Sequence, residues 1–128
     1  MTRSELKTIK VMLEAKRTEL QQLIRKREAI VIEKSADTLD EMRHAAEREL
    51  ALRMLDRDSS LIRYVRAALR RIEENTFGVC LHCENDISPK RLFAVPWSPF
   101  CIECQEMADG NREGGREERF VEQWIDAA

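Results

Sequence analysis

Glycine and proline are scarce in this 128-residue chain, numbering four and three. None of them precedes Gly78, so more than half of the chain carries no strong helix breaker. That leaves the stretch before Gly78 free to form long unbroken helices. Aromatic residues make up only 5% and charged residues 36%. Such a composition excludes one large compact core and fits long solvent-exposed helices. The length allows a single domain, or a small module attached to an extended element. No apolar run approaches the roughly 18 residues needed to cross a bilayer. The opening Met1-Thr-Arg-Ser-Glu-Leu-Lys7 lacks the apolar region of a signal peptide, and a cytoplasmic location is expected. There is no basic excess either. A net charge of −2 and a sequence pI near 5.8 argue against nucleic-acid phosphates as the main target. The chain also lacks a Ser/His/Asp or Cys/His catalytic set, a glycine-rich phosphate loop and a convincing carboxylate pair, so no enzyme is expected.

The charge is unevenly spread. Residues 1–36 carry a net +4, residues 37–58 a net −3, residues 59–79 a net +2, residues 80–104 a net −1, and residues 105–128 a net −4. An acidic stretch therefore lies between two basic ones.

Residues 3 to about 35 read as one helix. Thr2-Arg-Ser-Glu5 has the spacing of a capping box. Leu6, Ile9, Leu13, Leu20, Leu23, Ile24, Ile30 and Val31 follow a three-and-four spacing, interrupted by Lys16 and Arg27. A helix of this length reaches about 48 Å. A second helix is expected from about Thr38 to Glu74, opened by another capping-box spacing at Thr38-Leu-Asp-Glu41. Its expected stripe is Leu50, Met54, Leu61, Val65, Ala68 and Ile72, with Arg57 on the seam. Two amphipathic helices of matched length, joined through Ser35-Ala-Asp37, predict an antiparallel coiled-coil hairpin over residues 1–76, with its tip at about 35–42. Pairing with a second chain is the alternative; self-pairing suggests a monomer. The helix is expected to stop at Asn75-Thr-Phe-Gly78, with Gly78 in the left-handed conformation.

All four cysteines lie in Cys80-Leu-His-Cys83 and, after seventeen residues, Cys101-Ile-Glu-Cys104. Two Cys-x-x-Cys pairs at this separation have the spacing of a zinc site. Cys80, Cys83, Cys101 and Cys104 complete a tetrahedron and leave no position for water or substrate, which makes the site structural. Two disulfides or a redox pair are the alternatives, disfavoured by the matched second pair and by a reducing compartment. His82 is a candidate replacement ligand, expected instead to be exposed. A small finger over residues 77–108 follows, at the base of the hairpin. Ser88-Pro89 and Val95-Pro-Trp-Ser-Pro99 are turn-rich, leaving little room for regular structure between the knuckles. Leu92, Phe93, Trp97 and Phe100 are its expected core. A finger this small needs zinc to fold. A short helix from Gln105 to about Asp109 is expected next. The acidic tail, residues 109–128, places Phe120, Val121, Trp124 and Ile125 on one helical face.

The tip is acidic, with Asp37, Asp40 and Glu41. They read either as solvated capping residues or as the carboxylates of a probe. Arg63, Arg66, Arg70 and Arg71 read as a solvated face or as a docking surface for an acidic partner. His44 is expected to be exposed.

Glu73-Glu-Asn-Thr-Phe-Gly78-Val-Cys80, followed by Cys83, Ile87, Lys90-Arg-Leu92, Ala94, Pro96 and Cys101-Ile-Glu-Cys104, resembles the DksA/TraR family of zinc-finger transcription factors. The resemblance covers roughly residues 35–108. It implies the same mainly α fold, a long hairpin with a four-cysteine finger at its base and a short C-terminal helix. It further implies direct binding to bacterial RNA polymerase, with the hairpin entering the secondary channel and the tip carboxylates approaching the active centre. The family's tip pattern of Asp, two residues, Asp, one residue, Ala falls on Asp37-Thr-Leu-Asp40-Glu-Met42, with Met42 in place of Ala. Regulation by family members often involves the alarmone ppGpp. Carried over without gaps, its contact region keeps Arg57, a candidate docking residue, and Leu61. Its basic positions fall on Tyr64, Val95 and Gln105, so weak or no ppGpp binding is expected there. Alternative readings are a coiled-coil adaptor or a zinc-ribbon module that binds nucleic acid directly.

Overall fold

A computed structural model of the chain describes residues 1–36 and 41–110. It contains α1 (Arg3–Ala36), α2 (Glu41–Glu73), α3 (Pro89–Ala94) and α4 (Ile102–Gly110). With 34 and 33 residues, α1 and α2 are each about 50 Å long. Two compact units are distinguished. One joins Met1–Glu14 to Tyr64–Ala128, the other is Ala15–Arg63. Among the described residues no helix is long and apolar enough to cross a membrane.

The start of α1 is a reciprocal cap. The Glu5 amide donates to Thr2 Oγ1 and the Thr2 amide donates to Glu5 Oε2, both at 3.1 Å. Two otherwise unpaired helix-start donors are thereby satisfied. The corresponding box at Thr38 lies outside the described residues, as do Asp37 and Asp40.

In the Ala15–Arg63 unit the two helices run antiparallel, because Arg27 of α1 meets Met54 and Asp58 of α2 while only residues 37–40 connect the helix ends. Four residues span far less than the length of either helix. Leu20 is buried, and Leu23, Ile24, Ile30 and Val31 are half-buried, as the spacing predicts. The expected α2 stripe holds at Met54, Leu61, Val65, Ala68 and Ile72, which are buried or half-buried, and shifts by one residue at Leu50 and Arg57. Leu50 is 52% exposed and Ala51 only 6%. Arg57 is exposed, and Asp58, at 3% exposure, takes the seam position. The reason is Arg27. Its Nε donates to Asp58 Oδ2 at 2.6 Å, and its Nη1 reaches Met54 Sδ at 3.2 Å. What reads in sequence as a flaw in the α1 stripe is thus half of a charge pair across the seam. Such a pair is costly to desolvate but costs more to break, and it penalises other registers.

In the other unit, Ile9 and Leu13 of α1 and Ile62's neighbours further along α2 — Val65, Ala67, Ala68 and Leu69 — are buried with Cys80, Ile87, Leu92, Phe100, Cys104 and Ala108. Full burial of an aliphatic or aromatic side chain stabilises by about 1.5–3 kcal/mol. Of the expected finger core, Leu92 and Phe100 are fully buried, Trp97 is half-buried and Phe93 is 38% exposed. Ile87, outside the expected set, is buried. Arg71, expected on a solvated face, is 3% exposed, and its Nη1 finds no hydrogen-bond partner among the described residues. Burial, with repulsion from Arg70, lowers its pKa to about 10, so the group remains a cation at neutral pH. His44 is half-buried rather than exposed.

Candidate metal centre

The finger begins where α2 stops, and the stop is made by Asn75, not Gly78. Asn75 has φ 59°, the Thr76 amide donates to the Arg71 carbonyl at 2.9 Å, and the Asn75 amide donates to the Ile72 carbonyl at 3.3 Å. These are the two bonds of a Schellman ending, which asparagine supports because it tolerates the left-handed region. Gly78, at φ 94°, instead serves the first knuckle. Its carbonyl accepts the Ile87 amide at 2.8 Å, and the Cys80 amide donates to the Asn85 carbonyl at 2.8 Å. An antiparallel bridge joins Val79 to Asp86 between these bonds. Within the loop, the Glu84 amide donates to the Cys80 carbonyl at 3.0 Å, with Glu84 at φ 62°. The tight turn brings Cys80 and Cys83 to one side.

The second knuckle is set by α3 and α4. The Ser88-Pro89 pair reads in sequence as a turn, but here Pro89 opens α3. A proline at the first helical position loses no hydrogen bond, and its fixed φ suits the helix. Arg91 of α3 donates through Nε to the Phe100 carbonyl at 3.0 Å, and Ser98 Oγ donates to the same carbonyl at 2.9 Å. The Leu81 amide donates to the Pro99 carbonyl at 2.9 Å, tying the first knuckle to the segment leading into Cys101. Helix α4 starts at Ile102, earlier than the expected Gln105, and carries Cys104 in its first turn.

All four cysteines are brought together, with their sulfurs within 4.8 Å of one another. Each is a free cysteine. Cys83 Sγ and Cys101 Sγ are 3.7 Å apart, far beyond a disulfide bond of about 2.05 Å. For four thiolates at about 2.3 Å from a tetrahedral zinc, the separation between sulfurs is about 3.8 Å. The donor set therefore fits zinc in kind, number and spacing. When bound, zinc supplies a cross-link between the two knuckles.

The electrostatics agree. Burial pushes the Cys80 thiol up, but amide hydrogen bonds from Cys83, Cys101 and His82 outweigh it and bring the pKa down to about 7. At Cys104 burial comes first, and the neighbouring sulfurs add to it, so that thiol is held far above its ordinary value. Cys83 is also raised: the Asn85 amide favours its thiolate, but desolvation and contacts with Cys80 and Cys101 outweigh that. One thiolate forms readily and its neighbours then resist, as expected for like charges sharing a site that needs a cation.

His82, expected to be exposed, is half-buried, and its Nδ1 lies 3.4 Å from Cys104 Sγ. The set of mutually close donor atoms contains the four sulfurs and not this ring. Of the other sequence candidates, Arg57 is exposed on α2, and Tyr64, Val95 and Gln105 are half-buried.

Comparison with known proteins matches residues 75–108 to the prokaryotic dksA/traR C4-type zinc finger. The RNA polymerase-binding transcription factor DksA of Salmonella typhimurium is 31% identical over 112 residues, covering 85% of this chain and 74% of that protein. Its Escherichia coli K12 counterpart is 30% identical over the same shares. The protein of that name from Buchnera aphidicola of Acyrthosiphon pisum is 36% identical over 73 residues, 57% of this chain and 48% of that protein. In fold, the chain is similar to transcription factor DksA2 from Pseudomonas aeruginosa, with a TM-score of 0.75 at 24% identity, over 88% of this chain and 89% of that one. Sequence likeness across most of its length, a shared fold and a converged four-cysteine centre lead to one conclusion: the chain belongs to the DksA/TraR family of four-cysteine zinc-finger transcription factors.

Proposed function

We propose that this chain is a non-enzymatic transcription regulator that binds bacterial RNA polymerase in the cytoplasm and acts through the secondary channel as a monomer. The observation that carries the reading is identity of 31% over 85% of the chain with a protein named for binding RNA polymerase. The two-helix unit supplies a narrow element of suitable form. Its helices are joined through Asp37 and Asp40, which act at the polymerase active centre. Net charge −2 supports a protein target over naked nucleic acid. The centre, closed by four cysteine ligands, holds zinc for structure and leaves no position for a reacting group. Exposed Arg57 contacts the polymerase. Binding of ppGpp at this interface is weak or lost, because Tyr64, Val95 and Gln105 offer no cation to its phosphates.

The test is the affinity of the zinc-loaded chain for bacterial core RNA polymerase, with a known secondary-channel factor as competitor. Competition is expected. Absence of binding by a folded chain overturns the reading and favours the adaptor alternative. The Asp40→Asn variant is expected to bind about as tightly as the parent and to lose its effect on transcription initiation. Full regulation by that variant removes the tip-carboxylate mechanism.

A further inference from the structure

The histidine between the first two cysteines has no part in the roles described so far. Its Nδ1 lies 3.4 Å from Cys104 Sγ, across the centre from its own knuckle. The distance suits a hydrogen bond to sulfur, which is longer than one to oxygen. It does not make the ring a ligand, since the donor atoms that all lie within 4.8 Å of one another are the four sulfurs. Cys104 is 5% exposed, so water has little access to satisfy the sulfur's remaining lone pairs. A metal-bound thiolate carries no proton and is an acceptor only. The contact is favourable only if Nδ1 carries the hydrogen, which leaves Nε2 as the acceptor in the neutral ring.

We propose that His82 is a positioning residue of the metal centre: its Nδ1–H donates to the Cys104 thiolate, holding that buried sulfur at its vertex and slowing loss of the metal. Groups of this kind orient ligands, and their removal weakens metal affinity by about 10–100-fold. The bond crosses from the first knuckle to α4, so it also links the two halves of the site through the protein itself. It holds whether or not the chain acts on RNA polymerase.

Two variants of the full chain test this. His82→Phe keeps a flat ring and removes the donor. His82→Asn places an amide N–H near the former Nδ1. The readouts are the rate of zinc release to excess chelator and the thiolate-to-cobalt charge-transfer absorption of the cobalt(II)-loaded protein. His82→Phe is expected to release zinc at least about 10-fold faster and to shift the absorption to longer wavelength, because an unbonded thiolate gives up its electrons more easily. His82→Asn is expected to restore both toward the parent. If Phe prevents folding, His82→Ala serves as the donor-free variant with the same expectation. Equal behaviour of Asn and the donor-free variant, whether both altered or both like the parent, overturns the proposal. So does a parent cobalt spectrum of three thiolates and one nitrogen, which makes His82 a ligand.

Discussion

The finger and the helical arm of Ala15–Arg63 are stabilised by different means. In the finger, four donor atoms converge within 4.8 Å, and short loops are fixed by hydrogen bonds of 2.8–3.0 Å donated by the amides of Cys80, Leu81, Glu84 and Ile87. Few alternative arrangements satisfy a tetrahedral donor set, so ligand geometry selects the fold. In the arm, Leu20, Ala51 and Ile62 are buried among the described residues, together with half-buried apolar residues and the Arg27–Asp58 charge pair across the seam. An apolar stripe admits several helical registers at similar energy. The Arg27–Asp58 pair distinguishes them, because any other register leaves a charge under cover without its partner. A small motif can thus be specified by coordination, whereas a long helical pair needs a polar mark on its seam.

The sharpest way to break this contrast is to remove the metal or one ligand. Cys80→Ser, or chelation, is expected to unfold the finger, since structural zinc contributes on the order of 10 kcal/mol, while the arm keeps most of its helix. Hydrogen exchange read separately over residues 15–63 and 77–110 measures this. Equal loss of protection in both regions overturns the distinction. Acid acts in the same direction. Zinc requires thiolates, and Cys83 and Cys104 hold their protons more tightly than ordinary cysteines. Falling pH therefore favours the protonated, metal-free state, and zinc affinity measured by competition is expected to be higher at pH 8 than at pH 6.

A cut in the arm is expected to rank next. Arg27→Ala leaves Asp58 buried without its cation and is expected to cost about 3 kcal/mol in denaturant unfolding. The double replacement Arg27→Met with Asp58→Leu is expected to recover most of that stability while relaxing the register. Full recovery with an unchanged register, followed by distance measurements between spin labels on the two helices, removes the role given to the pair.

Smaller effects probe single backbone positions. Gly78→Ala is expected to destabilise the finger by about 1 kcal/mol. A Cβ there meets nothing closer than Leu92 Cδ1 at 3.9 Å, so the cost lies in φ 94° and not in crowding. A midpoint of zinc-loaded unfolding equal to that of the parent contradicts it. Thr2→Ala removes the cap at the start of α1 and is expected to cost about 1 kcal/mol or less. Fraying of the first turn, seen as faster amide exchange at Glu5, is the corresponding sign.

The ligand set, the existence and approximate extent of α1 and α2, the Thr2–Glu5 cap and the burial of Leu92 and Phe100 were legible in the order of the residues alone. These depend on residues a few positions apart, or on ligand chemistry that tolerates few substitutes. Only tertiary structure decided between neighbours of similar local merit. Arg57 and Asp58 are equally poor seam residues by hydropathy, and what selects Asp58 is Arg27, 31 residues away. Asn75 and Gly78 both accept a left-handed backbone, and the Schellman bonds to Arg71 and Ile72 assign the helix stop to Asn75. Pro89 signals a turn until the chain beyond it folds as α3. Nothing local places His82 against Cys104, because that contact exists only once two knuckles, separated by seventeen residues, have closed on each other.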